Sequence, residues 1–117
     1  MEIVTKPWGY EKWIGGGRSY FLKEILLKAG KRSSLQFHNK KEETNYIISG
    51  QGVLTRDGKT EMLKPGIAFH ILPGQIHRVE AITDLTMIEA STKELDDVIR
   101  VEDDYKRGNG RIEREHK

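Results

Sequence analysis

The chain has 117 residues, no cysteine, and 20 Lys+Arg against 18 Asp+Glu, a net charge of +2. That length holds one domain with a core of its own, and without thiolates any metal site must be built from nitrogen and oxygen ligands. Charges of both signs are interleaved, which is not the footprint of a nucleic-acid-binding protein. The start, MEIVTKPWGYEKW, has no signal-peptide pattern, and no apolar run is long enough to span a membrane, so a soluble cytoplasmic protein is expected.

In chain order, the segment before Gly15 carries Trp8 and Trp13, and Gly15 to Gly17 marks a loop. Eight strand-sized segments follow: YFLKEILL, SSLQFH, TNYIIS, VLTR, TEML, IAFHIL, IHRVEAI and LTMIEAS. Most are rich in β-branched and aromatic residues and several alternate in polarity. Turn signals separate them at Ala29-Gly30, Gly50-Gln51-Gly52, Asp57-Gly58, Pro65-Gly66, Pro73-Gly74 and Thr83-Asp84. This spacing predicts an all-β sandwich, jelly roll or small barrel. Asp57-Gly58 is the strongest hairpin signal, because a two-residue type I′ turn needs positive φ at both central positions. Near the C-terminus, TKELDDVIRVEDDYKR places Leu95, Val98 and Ile99 at i, i+3, i+4 spacing, which predicts a short helix or an extended latch on the barrel exterior. A single domain over residues 1–107 is expected. Residues 108–117, nearly without apolar side chains, are expected as a disordered charged tail.

Side chains two apart on a strand share a face, so Gln36 and His38 in LQFH point one way while Leu35 and Phe37 point the other. Glu43 opens the next strand, across a turn from that pair, and His77 follows a Pro-Gly turn at the start of another. Taken singly, each fits a half-buried hairpin with polar trim. Together they are two imidazoles, a carboxylate and an amide oxygen, a set suited to a divalent first-row metal, and costly to bury without one. The other two of the four histidines, His70 and His116, carry no such pattern.

The spacing resembles that of the cupins. Gly30, Gln36-x-His38, Glu43 and Gly50 follow their first motif with Gln36 in place of a histidine, and Gly66, Pro73-Gly74 and His77 follow the second, with Leu72 and Ala81 departing from it. With KPWGYE at Lys6 to Glu11, HRVE at His77 to Glu80 and DDVIRVEDDYKR at Asp96 to Arg107, the chain is similar to the cupin domain of type II mannose-6-phosphate isomerases, over about Lys6 to Arg107. The resemblance implies a cupin-type double-stranded β-helix. It also implies one divalent metal ion, zinc in that family, held by Gln36, His38, Glu43 and His77; manganese, nickel or iron would suit the same set.

The implied activity is interconversion of mannose 6-phosphate and fructose 6-phosphate through an enediolate. A non-catalytic metal- and carbohydrate-binding cupin, or a dioxygenase or lyase acting on another small molecule, are the alternatives, since one fold hosts many chemistries. Where the family continues its Glu with His-Trp, this chain has Thr44-Asn45, which puts an amide beside the metal and makes Asn45 a candidate substrate-binding residue.

Lys23 and Arg78 are the candidate catalytic residues. Alternation in YFLKEILL sets Lys23 either on an apolar interior face with Phe21, Ile25 and Leu27, where desolvation would suit it as a base, or in solvent if Leu22 and Leu26 are buried instead. Arg78 and Glu80 alternate away from His77, so their reach depends on the strand's twist. Arg18, Lys40, Lys41 and Arg78 are rim candidates for gripping a phosphate. Tyr105 and Arg107 are expected to fasten the latch to KPWGYE, with Trp8 and Trp13 as apolar anchors. An exposed sheet edge needs covering, and pairing of the N-terminal segment with a second subunit, hence a homodimer, is expected. The expected partners are otherwise a small sugar phosphate, with no nucleic acid and no membrane.

Overall fold

A computed structural model describes residues 1–116. They form eleven strands: β1 (Glu2–Lys6), β2 (Gly9–Gly16), β3 (Phe21–Leu27), β4 (Leu35–Phe37), β5 (Glu43–Ser49), β6 (Gly52–Arg56), β7 (Lys59–Leu63), β8 (Ala68–Ile71), β9 (His77–Ala81), β10 (Leu85–Ser91) and β11 (Ile99–Glu102). A six-stranded sheet has the order β1-β2-β3-β10-β5-β8 and a five-stranded sheet the order β11-β4-β9-β6-β7. Each of the eight predicted segments holds one of the strands β3 to β10, and between them only β6 and β7 form a hairpin within one sheet. All the other connections among these eight strands cross between sheets, which is the wound, two-layered jelly roll expected.

Alternation decides which side chains enter the interior. On β3 these are Lys23, Ile25 and Leu27; on β5 Glu43, Asn45 and Ile47; on β10 Leu85, Met87, Glu89 and Ser91, all buried. Strand register lines them up in rows across the larger sheet. Leu27 faces Leu85, and Ile25, Met87 and Ile47 form the next row. Then come Lys23, Glu89, Asn45 and Phe69. The interior therefore grades from hydrocarbon at one end to charge at the other. Leu54, Leu63, Val79 and Ala81 of the smaller sheet close the apolar end, each large side chain contributing about 1.5–3 kcal/mol by leaving water.

Two turns carry the backbone demands visible in the sequence. Asp57 and Gly58 have φ of 50° and 79°, as a type I′ hairpin requires. Gly50, at φ +88°, lies so near the β9–β10 turn that a Cβ would sit 1.9 Å from the Asp84 carbonyl oxygen.

The termini differ from expectation. The N-terminal segment is used within its own chain: β1 pairs with β2 and β2 with β3, covering the edge of the jelly roll. No helix forms over Thr92 to Arg107; the chain turns and then adds β11 to the edge of β4. A helix of that length is marginal alone, and here the open strand edge and the hydrogen bonds of Asp97 to the β4–β5 turn, described below, outcompete it. Residues 108–116 are packed rather than disordered. Glu115 is buried against Lys6 at 2.8 Å and Arg107 at 3.3 Å, Arg107 also holds Asp103 at 2.8 Å, and the His116 ring meets Trp13 edge-on at 5.0 Å. A composition argument counts apolar side chains, whereas this segment is ordered by buried ion pairs. Among the described residues the one helical piece is a 3₁₀ turn, Glu113–His116, and no helix is long and apolar enough to cross a membrane.

Candidate metal centre

The charged end of the interior encloses a cavity of about 100 Å³, lined by both sheets and by the C-terminal segment. Three predicted ligands converge there. His38 ends β4, Glu43 opens β5 and His77 opens β9, and their ligand atoms all lie within 4.8 Å of one another. All three are buried, His38 to 1% exposure. Gln36 lines the same cavity and stands opposite His77 in the β4–β9 pairing; its Oε1 accepts from the Ser34 hydroxyl at 2.9 Å.

Both imidazoles are anchored at Nδ1 by backbone carbonyls, His38 on Asp97 at 2.6 Å and His77 on Gln75 at 2.9 Å. A carbonyl can only accept, so each Nδ1 carries a proton and, in the neutral ring, each Nε2 presents a lone pair inward, the tautomer a metal-bound histidine needs. His38 Nε2 has no hydrogen-bond partner although Glu43 Oε1 lies 2.9 Å away. With the ring neutral, a lone pair faces a carboxylate in a buried space, an arrangement that a cation between them resolves. His77 Nε2, 3.9 Å from the same oxygen, completes the triangle. The donor set and this orphaned nitrogen fit a divalent metal.

The surroundings keep the ligands in ligating form. Burial alone would raise the Glu43 pKa, but the neighbouring Lys41 charge holds it well below the usual carboxylate range. Burial lowers the His77 pKa, against the pull of Glu43. The Asn45 amide donates to Glu43 Oε2 at 2.8 Å, which leaves Oε1 for the centre. Asp97 acts from a distance in sequence: its carboxylate accepts the backbone N–H groups of Asn39, Lys40 and Lys41 at 2.7–3.0 Å, tying down the turn between the two ligand strands. Those bonds outweigh burial and lower its pKa.

The other predicted site residues divide. Lys23 and Lys41 are buried and line the cavity, so the interior alternative for Lys23 is the one adopted. Its wall is not apolar, however: Nζ sits 3.2 Å from Glu11 and 4.6 Å over the Trp13 ring. Lys41 bridges Glu89 at 3.0 Å and Glu43 at 3.8 Å. Its pKa is raised, the carboxylates outweighing burial. Arg78 does not reach the site. It lies on the opposite face of β9 from His77, with Nε donating to the Ser33 carbonyl at 3.0 Å, where it ties strands together. Arg18 is exposed in the β2–β3 connection, outside the cavity, and Lys40 is exposed as well. His70 lies on the outer face of β8 between Thr44 and Glu42.

Sequence reasoning missed Glu89 and Arg100, both lining the cavity. Glu89 was within reach, since LTMIEAS alternates and an inward carboxylate among Leu85 and Met87 is as anomalous as Glu43. Burial, and then the Glu43 charge, push its pKa up.

Comparison with known proteins agrees with the geometry. Residues 1–103 match the family described as mannose-6-phosphate isomerase C-terminal. The chain is 32% identical over 108 residues to mannose-1-phosphate guanylyltransferase 2 of Escherichia coli O157:H7 and 32% identical over 109 residues to the alginate biosynthesis protein AlgA of Pseudomonas aeruginosa. These alignments cover 88% and 89% of this chain but only 22% and 23% of those proteins. In fold it is similar to an RmlC-like cupin from Shewanella frigidimarina, with a TM-score of 0.71 at 20% identity over 78% of this chain and 82% of that one. It is similar, too, to a putative sugar phosphate isomerase from Acidithiobacillus ferrooxidans, with a TM-score of 0.66 at 24% identity over 75% and 60% of the two chains. With a cupin jelly roll around a His-Glu-His centre and a family match over nearly its whole length, this chain belongs to the mannose-6-phosphate isomerase C-terminal family.

Proposed function

We propose that this domain is a metal-dependent sugar-phosphate isomerase, interconverting mannose 6-phosphate and fructose 6-phosphate, with zinc as its ion. The observation that carries the reading is the buried trio of His38, Glu43 and His77, both rings turned so that Nε2 faces a polar cavity, in a chain of this family. A divalent ion held by these three, with Gln36 as a fourth ligand, would act as a Lewis acid on the sugar oxygens.

Moving a proton between neighbouring carbons falls to the chain's own groups. Glu89 suits this best: it is buried, faces the cavity, and its raised pKa brings a carboxylate toward the range where it can both take and return a proton. Lys41 holds Glu89 Oε2 at 3.0 Å and so fixes where that carboxylate points. Lys23, beside Glu89 in the β3–β10 register, is the second candidate for proton transfer. Asn45 keeps Glu43 oriented, and its amide, smaller than the family's aromatic, leaves room beside the centre.

Elemental analysis of protein purified without added metal should give about one ion per chain, lost in His38→Ala. A coupled mannose 6-phosphate isomerase assay on the wild type should show turnover that Glu89→Gln reduces by at least about a hundredfold without loss of the ion. Bound metal with no turnover of any hexose phosphate would sink the isomerase reading.

The same reading includes a homodimer. The outer face of the larger sheet exposes Tyr46 and Ile48 on β5 and Ile14 on β2, and Lys12 and Glu24 on that face neutralise each other at 3.3 Å. A second copy would meet it without repulsion.

A further inference from the structure

Six cations line the central cavity: Lys6, Lys23, Lys41, Arg100, Arg107 and Arg111. Five have carboxylate partners: Lys6 and Arg107 share Glu115, Arg107 also holds Asp103, Lys23 meets Glu11, Lys41 meets Glu89, and Arg111 meets Glu113. Arg100 has none among the described residues. Its Nη1 donates to the backbone carbonyls of Gly108 and Gly110, the latter at 3.0 Å, and its own N–H donates to the Asn109 side chain at 2.7 Å. Its Nε is buried with no hydrogen-bond partner among the described residues.

A buried donor left unmade is expensive, and a guanidinium N–H more so than a neutral one. The arrangement is also directional. Two carbonyls hold Nη1, which fixes the plane of the fork and leaves the Nε edge available, the edge that matches the paired oxygens of an oxyanion. The carboxylates whose charges act on it most, Glu115 and Asp103, are committed to Arg107 and Lys6. Burial and then the neighbouring Arg107 charge disfavour the protonated guanidinium, which an incoming anion would reverse.

Position relative to the metal centre gives the ligand its length. Arg100 stands opposite Gln36 on β4, and Gln36 opposite His77 on β9, a row across the smaller sheet. Two strand spacings separate the ends of that row, about 10 Å between backbones, which suits a small molecule that presents hydroxyl or carbonyl oxygens at one end and an anion at the other.

We infer that Arg100 is the anion-recognising residue of this cavity and takes the phosphate monoester of the substrate on its Nε edge, oriented beforehand by the Gly108 and Gly110 carbonyls. The identity of the rest of the ligand rests on the sugar-phosphate reading above; the anion site does not.

The test uses the zinc-loaded full chain. Inorganic phosphate is titrated while the Arg100 Nε–H resonance is followed by NMR, and calorimetry compares mannose 6-phosphate with mannose on the wild type, Arg100→Gln and Arg100→Lys. The expected result is a saturable shift of that resonance. In calorimetry the phosphorylated sugar should be preferred by at least about tenfold, with most of the preference gone in Arg100→Gln and part of it restored in Arg100→Lys. A resonance unmoved at saturating phosphate, or a folded Arg100→Gln that keeps the full preference, overturns the inference. If Arg100→Gln does not fold, the wild-type resonance alone decides. Phosphate bound at Arg100 in a protein that turns over no sugar phosphate supports the anion site and rejects the isomerase; turnover with an unmoved resonance does the reverse.

Discussion

The charged side chains inside this barrel work in linked pairs, so changing one changes its neighbours. Lys41 is the common partner of Glu43 and Glu89. Lys41→Met leaves two buried carboxylates without their cation and should destabilise the protein by about 3–5 kcal/mol in urea unfolding; a loss under about 1 kcal/mol would mean the carboxylates find other partners. Glu11 offers a test by pH. Burial would raise its pKa, but Lys23 and Lys6 lower it from 4.5 to about 2. The folded state thus holds this proton less tightly than the unfolded chain, a stabilisation of about 3 kcal/mol that is complete above pH 4.5 and fades as pH falls toward 2. Glu11→Gln should therefore cost stability at pH 7, and the gap to wild type should narrow below pH 4.5 and close only toward about pH 2; a gap independent of pH would contradict the pairing. At this scale the meeting of Gln36, His38, Glu43 and His77 at one cavity was legible because strand alternation and turn spacing are local properties. Arg78 and Arg18 were misassigned because nothing local says what covers the outer face of β9 or where a loop side chain ends. Arg100 was invisible for a related reason: its neighbours are set by the β11–β4 register, not by its own sequence.

Elements that repeat a short pattern were equally readable. All eight segments from β3 to β10 follow from polarity alternation and turn residues, and Asp57-Gly58 adopts the positive φ values its hairpin demands. The C-terminal segment was not, because Leu95, Val98 and Ile99 satisfy a helical period while the strand edge that captures the chain lies sixty residues earlier. Its closing turn depends on Glu115, which joins β1 through Lys6 to the latch through Arg107. Glu115→Ala leaves Lys6 without its carboxylate and Arg107 with Asp103 alone, and should cost about 3 kcal/mol, lowering the thermal midpoint by about 10 °C. An unchanged midpoint would return residues 108–116 to the solvated tail that composition suggests. Replacing Gly50 by Ala should be similarly damaging, since the new methyl would overlap the Asp84 carbonyl.

At the scale of the molecule, the proposed dimer through the outer face of the larger sheet makes a direct prediction. Light scattering at micromolar concentration should give twice the chain mass, and Tyr46→Lys with Ile48→Lys should halve it while leaving the ultraviolet circular dichroism of the fold unchanged; a monomeric wild type would rule the dimer out. One contact also has a meaning in time. The His38 ring is aimed by the carbonyl of Asp97, and the turn that carries it into β5 is tied by the Asp97 carboxylate. A chain leaving the ribosome has made every ligand before it has made the residue that orients the first of them. The proposed centre would thereby be completed only once the segment carrying Asp97 has docked, and a nascent chain arrested before Asp97 would carry the four candidate ligands without the contact that aims His38.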